Sequence, residues 1–248
     1  MKRQNLDVRV YENRQIMGQQ AAETVGQKVQ ELLTEQANVN MIFAAAPSQN
    51  EFLLHLSKKD NITWERVNAF HMDEYLGLPE TAAQGFGNFL KERLFDKLSF
   101  RSVNYIRGNV SDIQEECERY STLLKLHPID IVCMGIGENG HIAFNDPPAD
   151  FNDNRSVKRV KLDAICRQQQ VNDKCFNSIA EVPVYALTLT IPALMSARYI
   201  YCIVPGETKA QAVFNTLNQE INQQYPSTIL KKHLNAILFL DKDSNKLL

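Results

Sequence analysis

The sequence contains few cysteines, and their arrangement argues against a disulfide framework. There are five cysteines in 248 residues, no C-x-x-C pair occurs, and three of the cysteines lie in apolar surroundings. This usage is typical of reduced, mostly buried thiols in a cytosolic protein. We therefore expect a cytoplasmic protein, and no thiol has a neighbour that marks it as a nucleophile.

Long apolar runs and a strong charge imbalance are also missing. No window approaches the ~20 apolar residues that a membrane-spanning helix needs, and the N-terminus has no apolar signal core. The formal net charge is -2, so the sequence indicates neither a nucleic-acid nor a membrane partner. The 44% of hydrophobic residues supports a proper core, and we expect a soluble protein.

What the sequence does contain is a regular alternation of predicted strands and helices. Short β-branched or alternating runs predict strands, and longer segments with apolar residues at helical spacing predict helices. The predicted strands are 8–11, 39–46, 67–72, 103–106, 131–134, 186–190, 198–204 and 236–240. The predicted helices are 13–36, 49–56, 89–98, one capped by Ser111 that runs to Leu126, and 207–218. After the loop 135–146 the chain is polar until about Val182, and no element is predicted there.

This alternation predicts an α/β fold with a mostly parallel sheet and helices on both faces. No internal repeat, low-complexity tract or linker is present, so we expect residues 1–248 to form a single domain. In such sheets the ligand lies beyond the carboxyl ends of the strands. Three predicted strand ends carry polar or special residues: Pro47-Ser48, Asp73-Glu74 and the loop 135–146.

The loop after the central strand is rich in glycine. Gly135, Gly137 and Gly140 let the backbone turn sharply and allow a close approach to it. Their spacing matches the G-x-G-x-x-G dinucleotide fingerprint, which also needs a helix opening at the third glycine. Pro147 and Pro148 follow too soon for such a helix. The loop therefore predicts an active-site turn rather than a nucleotide site.

His141 and Asp146 lie in the same loop and are groups that can move protons. A lone histidine is usually structural, but this one follows a glycine-rich strand end with acidic and amide neighbours, which favours a catalytic role. Asp146 either caps a turn before Pro147 or accepts a hydrogen bond from His141 and raises its basicity. No third ligand is nearby in the sequence and no H-x-x-x-H spacing occurs, so we expect no metal.

Three other strand ends supply candidates. Asp73 and Glu74 point to opposite faces if they extend a strand, so only one of them enters the site, where it is a candidate general base. The alternative is an ordinary solvated loop. Ser48 and Lys209 lie in strand-to-helix turns, where free N–H groups and the helix dipole favour phosphate. For Lys209 the alternative is a solvated helix residue.

Two stretches, 70–78 and 135–147, together resemble the glucosamine-6-phosphate deaminase (isomerase) family. They read FHMDEYLGL and GIGENGHIAFNDP. Weaker similarity lies in 182–188 and 206–210, and the likeness spans nearly the whole chain. The resemblance implies a Rossmann-like α/β domain that converts an amino-sugar 6-phosphate into the ketose 6-phosphate and ammonia. It also implies that neither a metal nor an organic cofactor takes part.

By position, the resemblance assigns roles to the candidates. Asp73 matches the base that moves the C2 proton, and His141 matches the residue that opens the sugar ring. Asp146 matches the acid, usually Glu, that supports the histidine. Asn139 stands where the best-known members have Asp.

The resemblance also implies a phosphate site. Ser48 and Lys209 match phosphate-binding positions, and Lys174 falls, in a loose alignment, where members often carry a phosphate-binding arginine. The first phosphate loop, residues 44–49, lacks the common glycines. This change leaves room for another epimer, such as galactosamine 6-phosphate.

Two rival functions stay open beside this one. A 6-phosphogluconolactonase on the same fold would need a G-H-x-A-S type sequence, whereas Phe144 follows Ala143 here. A non-catalytic sugar-phosphate sensor would carry a DNA-binding helix-turn-helix, for which the segment before Val8 leaves no space. The sequence does not fix the oligomeric state, and a homo-oligomer is left open.

Overall fold

The structure, a computed structural model that describes residues 2–3 and 5–248, is organised around an eight-stranded sheet. Its strands are β1 (Lys2–Arg3), β2 (Leu6–Tyr11), β3 (Val39–Phe43), β4 (Val67–His71), β6 (Ser102–Asn104), β7 (Ile131–Met134), β10 (Tyr199–Val204) and β11 (Ala236–Asp241). They lie in the order β1-β2-β11-β10-β7-β3-β4-β6. β1 pairs with β2 antiparallel, and the other neighbours pair in parallel.

A smaller antiparallel sheet lies beside the carboxyl ends of the main one. It consists of β5 (Asp73–Tyr75), β9 (Tyr185–Leu189) and β8 (Val157–Lys161), in that order. The helices are α1 (Arg14–Glu35), α2 (Asn50–Leu56), α3 (Phe86–Leu90), α4 (Ile113–Leu126), α5 (Ala164–Asn172), α6 (Ile191–Met195) and α7 (Ala210–Asn218). A π-helical turn, Lys91–Phe95, extends α3.

Alternation along the main strands divides the core into two apolar clusters. In β7, Ile131 and Cys133 belong to one cluster, and Val132 and Met134 belong to the other. Successive side chains of a strand point to opposite faces, so the two clusters cover the two faces of the sheet. Buried residues of α1 to α3 join the first cluster, and those of α4, α6 and α7 join the second. The predicted α/β fold, with a mostly parallel sheet and helices on both faces, is confirmed.

The ends of the helices follow capping chemistry, with one correction. Asn13 caps α1, since its side chain accepts the N–H of Ile16 at 3.0 Å. For α4 the predicted cap Ser111 is wrong, because Asp112 Oδ1 accepts the N–H of Glu115 at 2.9 Å. Serine and aspartate are both good caps, and the sequence alone does not say which of two neighbours begins the helix.

Two elements lie where the sequence predicted none. Along β8 only Val157 is buried, and after it half-buried and exposed residues alternate. Three of its five residues, Lys158, Arg159 and Lys161, are charged, which hides the strand pattern. α5 is rich in glutamine, and its side chains at 169 and 170 are buried although they are polar. Of the two, α5 lies at the cleft described below, since Gln169 and Gln170 line it. No helix in the described chain is long and apolar enough to cross a membrane.

Candidate active site

The carboxyl ends of β3, β4, β7 and β10 meet at one edge of the sheet, and a cleft opens there. The loops that follow these strands and the helix α5 supply its walls. Its lining includes Ala44–Ala46, Ser48, Gln49, Met72, Asp73, Phe86, Gly135–Gly137, His141, Ala143, Phe144, Gln169, Gln170 and Lys209. The structure therefore brings together Asp73, His141, Ser48 and Lys209, which lie far apart in the sequence.

Asp73 is the acid that faces the cleft. It begins β5, where it pairs with Thr188 of β9, and its neighbour Glu74 points away. The Glu74 carboxylate accepts the backbone N–H groups of Phe86 and Gly87 at 3.0 and 2.8 Å. Burial raises the pKa of Asp73 well above its ordinary value, and the neighbouring Glu74 adds to the effect. A carboxylate with a raised pKa is a stronger base toward a weakly acidic C–H group.

His141 is held over the backbone of its own loop. The N–H of Gly137 donates to the carbonyl oxygen of His141 at 3.0 Å, and Gly140 has a φ of +84°. A Cβ atom on residue 137 would lie 2.1 Å from the Cε1 atom of the ring. Only glycine therefore allows the imidazole to pack here, and His141 is left 8% exposed at the cleft wall.

Two acceptors fix the tautomer of His141. Its Nδ1 atom lies 2.7 Å from Oδ1 of Asn139 and 3.3 Å from Oδ1 of Asp146. An amide oxygen and an ionised carboxylate both accept hydrogen bonds, so we infer that Nδ1 carries the hydrogen. Nε2 is then the ring nitrogen with a free lone pair. The arrangement can take up and return a proton at Nε2.

Asp146 lies behind the histidine as an ionised partner. Burial raises the pKa of Asp146, but hydrogen bonds from His141 and Asn139 and the charge of His141 outweigh burial, and the pKa lies below its ordinary value. A second carboxylate, Asp163, joins it. The backbone N–H of Asp163 donates to Asp146 Oδ2 at 3.1 Å, and Nδ2 of Asn139 donates to Asp163 Oδ2 at 3.1 Å. Sequence reasoning missed Asp163, because the helix that it caps was not predicted.

Lys209 and Ser48 form the cationic end of the cleft. Lys209 is 4% exposed, and within the described chain its Nζ atom has no hydrogen-bond partner. Burial lowers the pKa of Lys209, against the opposing charges of Asp173 and Glu138. Ser48 Oγ accepts an N–H of Gln49 at 3.2 Å. A buried ammonium without a partner is unfavourable unless an anion completes the site.

Lys174, the third predicted phosphate ligand, is placed differently. It is exposed, has a φ of +60° and is not among the residues that line the cleft. The neighbouring helix α5 instead supplies Gln169 and Gln170, both buried. Gln169 Oε1 accepts the N–H of Glu138 at 2.8 Å, which ties α5 to the histidine loop.

One group of side chains near the histidine could hold a metal. Ligand atoms of His141, Asp146 and Cys166 lie within 4.8 Å of one another. The expectation that no third ligand is nearby is therefore wrong, because α5 brings in Cys166. However, Nδ1 of His141 is already engaged, and burial raises the pKa of the Cys166 thiol, whereas metals bind the thiolate. The residues present therefore fit a network of hydrogen bonds that supports His141 better than they fit a metal centre.

Comparison with known sequences gives a consistent result. Residues 12–239 match the family model described as glucosamine-6-phosphate isomerases/6-phosphogluconolactonase. Glucosamine-6-phosphate deaminases of Bacillus cereus (strain B4264) and Bacillus anthracis (strain A0248) are each 35% identical to the chain over 187 residues. These residues are 75% of this chain and 70% of each relative.

Solved structures share the fold. A monomeric glucosamine-6-phosphate deaminase, described as a missing link of the NagB superfamily, has a TM-score of 0.89 and 26% identity, over 98% of this chain and 100% of that one. The 6-phosphogluconolactonase of Thermotoga maritima has a TM-score of 0.79 and 19% identity, over 96% of this chain and 100% of that one. The second likeness concerns the fold alone.

The unpartnered ammonium of Lys209 leads to a testable prediction. Lys209→Met removes a buried charge, so in phosphate-free buffer we expect it to stabilise the protein by about 1–3 kcal/mol. Inorganic phosphate should raise the midpoint of thermal unfolding of the wild type and not that of Lys209→Met. Thermal and urea unfolding with and without phosphate measure both effects.

Lys174→Met is the matched control, because Lys174 is exposed. We expect it to leave both the stability and the phosphate effect unchanged. If Lys174→Met abolishes the phosphate effect and Lys209→Met keeps it, the anion site has been assigned to the wrong lysine.

Proposed function

Since the chain belongs to the family of glucosamine-6-phosphate isomerases and 6-phosphogluconolactonases, we propose that it is an amino-sugar 6-phosphate deaminase. The reaction takes glucosamine 6-phosphate and water to fructose 6-phosphate and ammonia. The observation that carries the proposal is the cleft itself. It combines a buried carboxyl of raised pKa, a histidine with a free Nε2 and a buried ammonium without a partner.

Ring opening is assigned to His141. The closed sugar has a hydroxyl at C1 and an ether oxygen in the ring. Opening it removes the proton of the C1 hydroxyl, breaks the bond between C1 and the ring oxygen and delivers a proton to that oxygen. A neutral imidazole with a free Nε2 can accept the first proton and supply the second. Asp146, ionised behind the ring, stabilises the imidazolium between the two transfers.

Isomerisation and deamination follow at C2. Asp73 removes the C2 proton of the open aldehyde while the carbonyl oxygen takes up a proton from solvent, which gives an enolamine, and the proton is then returned to C1, which gives an iminium ion at C2. Water adds to the iminium carbon and loses one proton to solvent, the amino group takes up a proton, and ammonia leaves as the remaining hydroxyl loses its proton and becomes the C2 carbonyl. One carboxylate can serve both carbons because they are adjacent. Burial supports this role, since the pKa of Asp73 is raised.

Phosphate recognition is assigned to Lys209 and Ser48. Both line the cleft that holds Asp73 and His141. A phosphate far from the reacting carbons contributes binding energy that orients C1 and C2 without taking part in the chemistry. No step of this scheme calls for a metal, and we propose that none is used.

The alternative function is a 6-phosphogluconolactonase. Phe144 lines the cleft after Ala143 and packs against Tyr75 and Phe86, with ring centroids 5.4 Å apart in both pairs. The G-H-x-A-S type sequence places a hydroxyl at that position, and an aromatic ring cannot replace its hydrogen bonds.

A substrate panel tests the function. We expect purified protein to release ammonia and fructose 6-phosphate from glucosamine 6-phosphate, with or without EDTA, and to leave 6-phosphogluconolactone at its spontaneous rate of hydrolysis. Galactosamine 6-phosphate, assayed in parallel, gives the epimer preference. Lactone hydrolysis with no release of ammonia from either amino sugar would reverse the assignment in favour of the alternative function.

Asp73→Asn tests the base. An amide of the same size cannot accept the C2 proton, so we expect kcat to fall by about 10²–10⁴-fold. Binding of the phosphate sugar, measured by calorimetry, should remain close to that of the wild type. Glu74→Gln is the neighbouring control, since Glu74 faces another cavity. A folded Asp73→Asn variant that keeps full turnover removes Asp73 from the mechanism.

A further inference from the structure

We propose that Asp163 is a positioning residue that orients the amide of Asn139 and thereby keeps the hydrogen of His141 on Nδ1. This inference rests on the proposed function of His141 as the group that moves protons at Nε2. It also explains how the chain can carry an asparagine beside its histidine where the resemblance leads one to expect an aspartate.

The problem that Asp163 solves arises from the asymmetry of an amide. A carboxylate presents an acceptor in either orientation, whereas an amide presents an oxygen at one end and an NH₂ group at the other. With its oxygen toward Nδ1, Asn139 accepts the Nδ1 hydrogen, as the 2.7 Å contact indicates. Turned around, it would donate to Nδ1, the ring hydrogen would move to Nε2, and Nε2 could no longer act as a base.

Two carboxylates act against that rotation. Nδ2 of Asn139 donates to Asp146 Oδ1 and to Asp163 Oδ2, both at 3.1 Å. Ionised carboxylates have only acceptor sites, so a reversed amide would place its oxygen against two anionic oxygens. On the other side, Asn139 Oδ1 accepts both the backbone N–H and Nδ1–H of His141. Every polar atom of the amide therefore has a partner in one orientation only.

Asp163 is itself held in place from both ends. Its Oδ1 atom accepts the N–H of Cys166 at 2.6 Å and caps α5. Its own N–H donates to Asp146 Oδ2 at 3.1 Å. Asp163, Asp146 and Asn139 thus close a ring of hydrogen bonds behind the histidine.

The cap and the positioning role can be separated by substitution. Asp163→Ser keeps an oxygen for the N–H of Cys166, but its short side chain no longer reaches Asn139. Asp163→Asn has only one side-chain oxygen for two donors, the N–H of Cys166 and Nδ2 of Asn139. The asparagine therefore either loses the cap of α5 or turns its own NH₂ group toward Nδ2 of Asn139. A residue that only capped α5 would tolerate both changes, because serine and asparagine are good caps.

The direct readout is the tautomer of His141, which does not depend on any substrate. Nitrogen NMR of protein with labelled histidine distinguishes Nδ1–H from Nε2–H rings, and the spectrum of His141→Gln identifies the signal among the five histidines. We expect Nδ1–H in the wild type and a shift toward Nε2–H in Asp163→Ser. We also expect kcat to fall about tenfold, as for loss of one hydrogen bond to a charged group, with little change in KM.

A second substitution should rescue the first. Asn139→Asp alone places three carboxylates side by side, so we expect it to lower activity. In the double variant Asn139→Asp with Asp163→Ser, the new carboxylate at position 139 presents an acceptor oxygen to Nδ1 of His141 whichever way it is turned. We therefore expect the double variant to be more active than either single variant. Asp112→Ser, the same substitution at the cap of α4, is the control and should leave kcat unchanged.

The results separate this inference from the proposed function. A tautomer shift in Asp163→Ser supports the positioning role even if the wild type turns over no amino sugar. In that case the proposed deaminase function is wrong, and the positioning role of Asp163 stands. An unchanged Nδ1–H tautomer in Asp163→Ser overturns the positioning role. If the wild type is active, a double variant with no more activity than both single variants also overturns it.

Discussion

The hydrogen bond from His141 Nδ1 to Asn139 Oδ1 decides what chemistry the cleft can perform. In the proposed mechanism this hydrogen bond leaves Nε2 free to take a proton, and the carboxylate of Asp146 stabilises the charge that results. The bond depends in turn on the glycine at 137, which makes room for the ring, and on the carboxylates that orient the amide. The backbone turn and the polar network behind the histidine therefore act as one unit.

The sheet supplies the rigid frame on which this unit depends. Parallel strands β3, β4, β7 and β10 bring their loops to one edge, and apolar clusters on both faces fix their positions. The same burial that stabilises the strands also tunes the site. Burial raises the pKa of Asp73, which makes its carboxylate a stronger base. Burial also leaves the Nζ atom of Lys209 without a hydrogen-bond partner in the described chain, which favours an anion beside it. Burial at the sheet edge thus contributes both to the stability of the fold and to the proposed reactivity of the site.

Much of this arrangement could be predicted from the sequence, because the strong signals are local. The apolar strand 131–134, the glycines after it and the acid pair at 73 and 74 each lie within a few residues. Strand β9 was predicted at 186–190, but its antiparallel partners β5 and β8 and the helix α5 were not. β5 and α5 bury polar residues, and β8 is mostly charged. As a result the sequence pointed to Lys174, which is exposed, and missed Asp163, Gln170 and Cys166, which reach the site only through the position of α5.

Proton transfer at C2 is the central claim, and proton NMR in D₂O tests it most directly. Glucosamine 6-phosphate is incubated with the wild-type protein, and the C2 hydrogen signal is followed over time. The account predicts that this signal decays in step with the appearance of fructose 6-phosphate carrying solvent deuterium at C1. A C2 hydrogen that survives at every pH, in protein that binds the substrate, would contradict it.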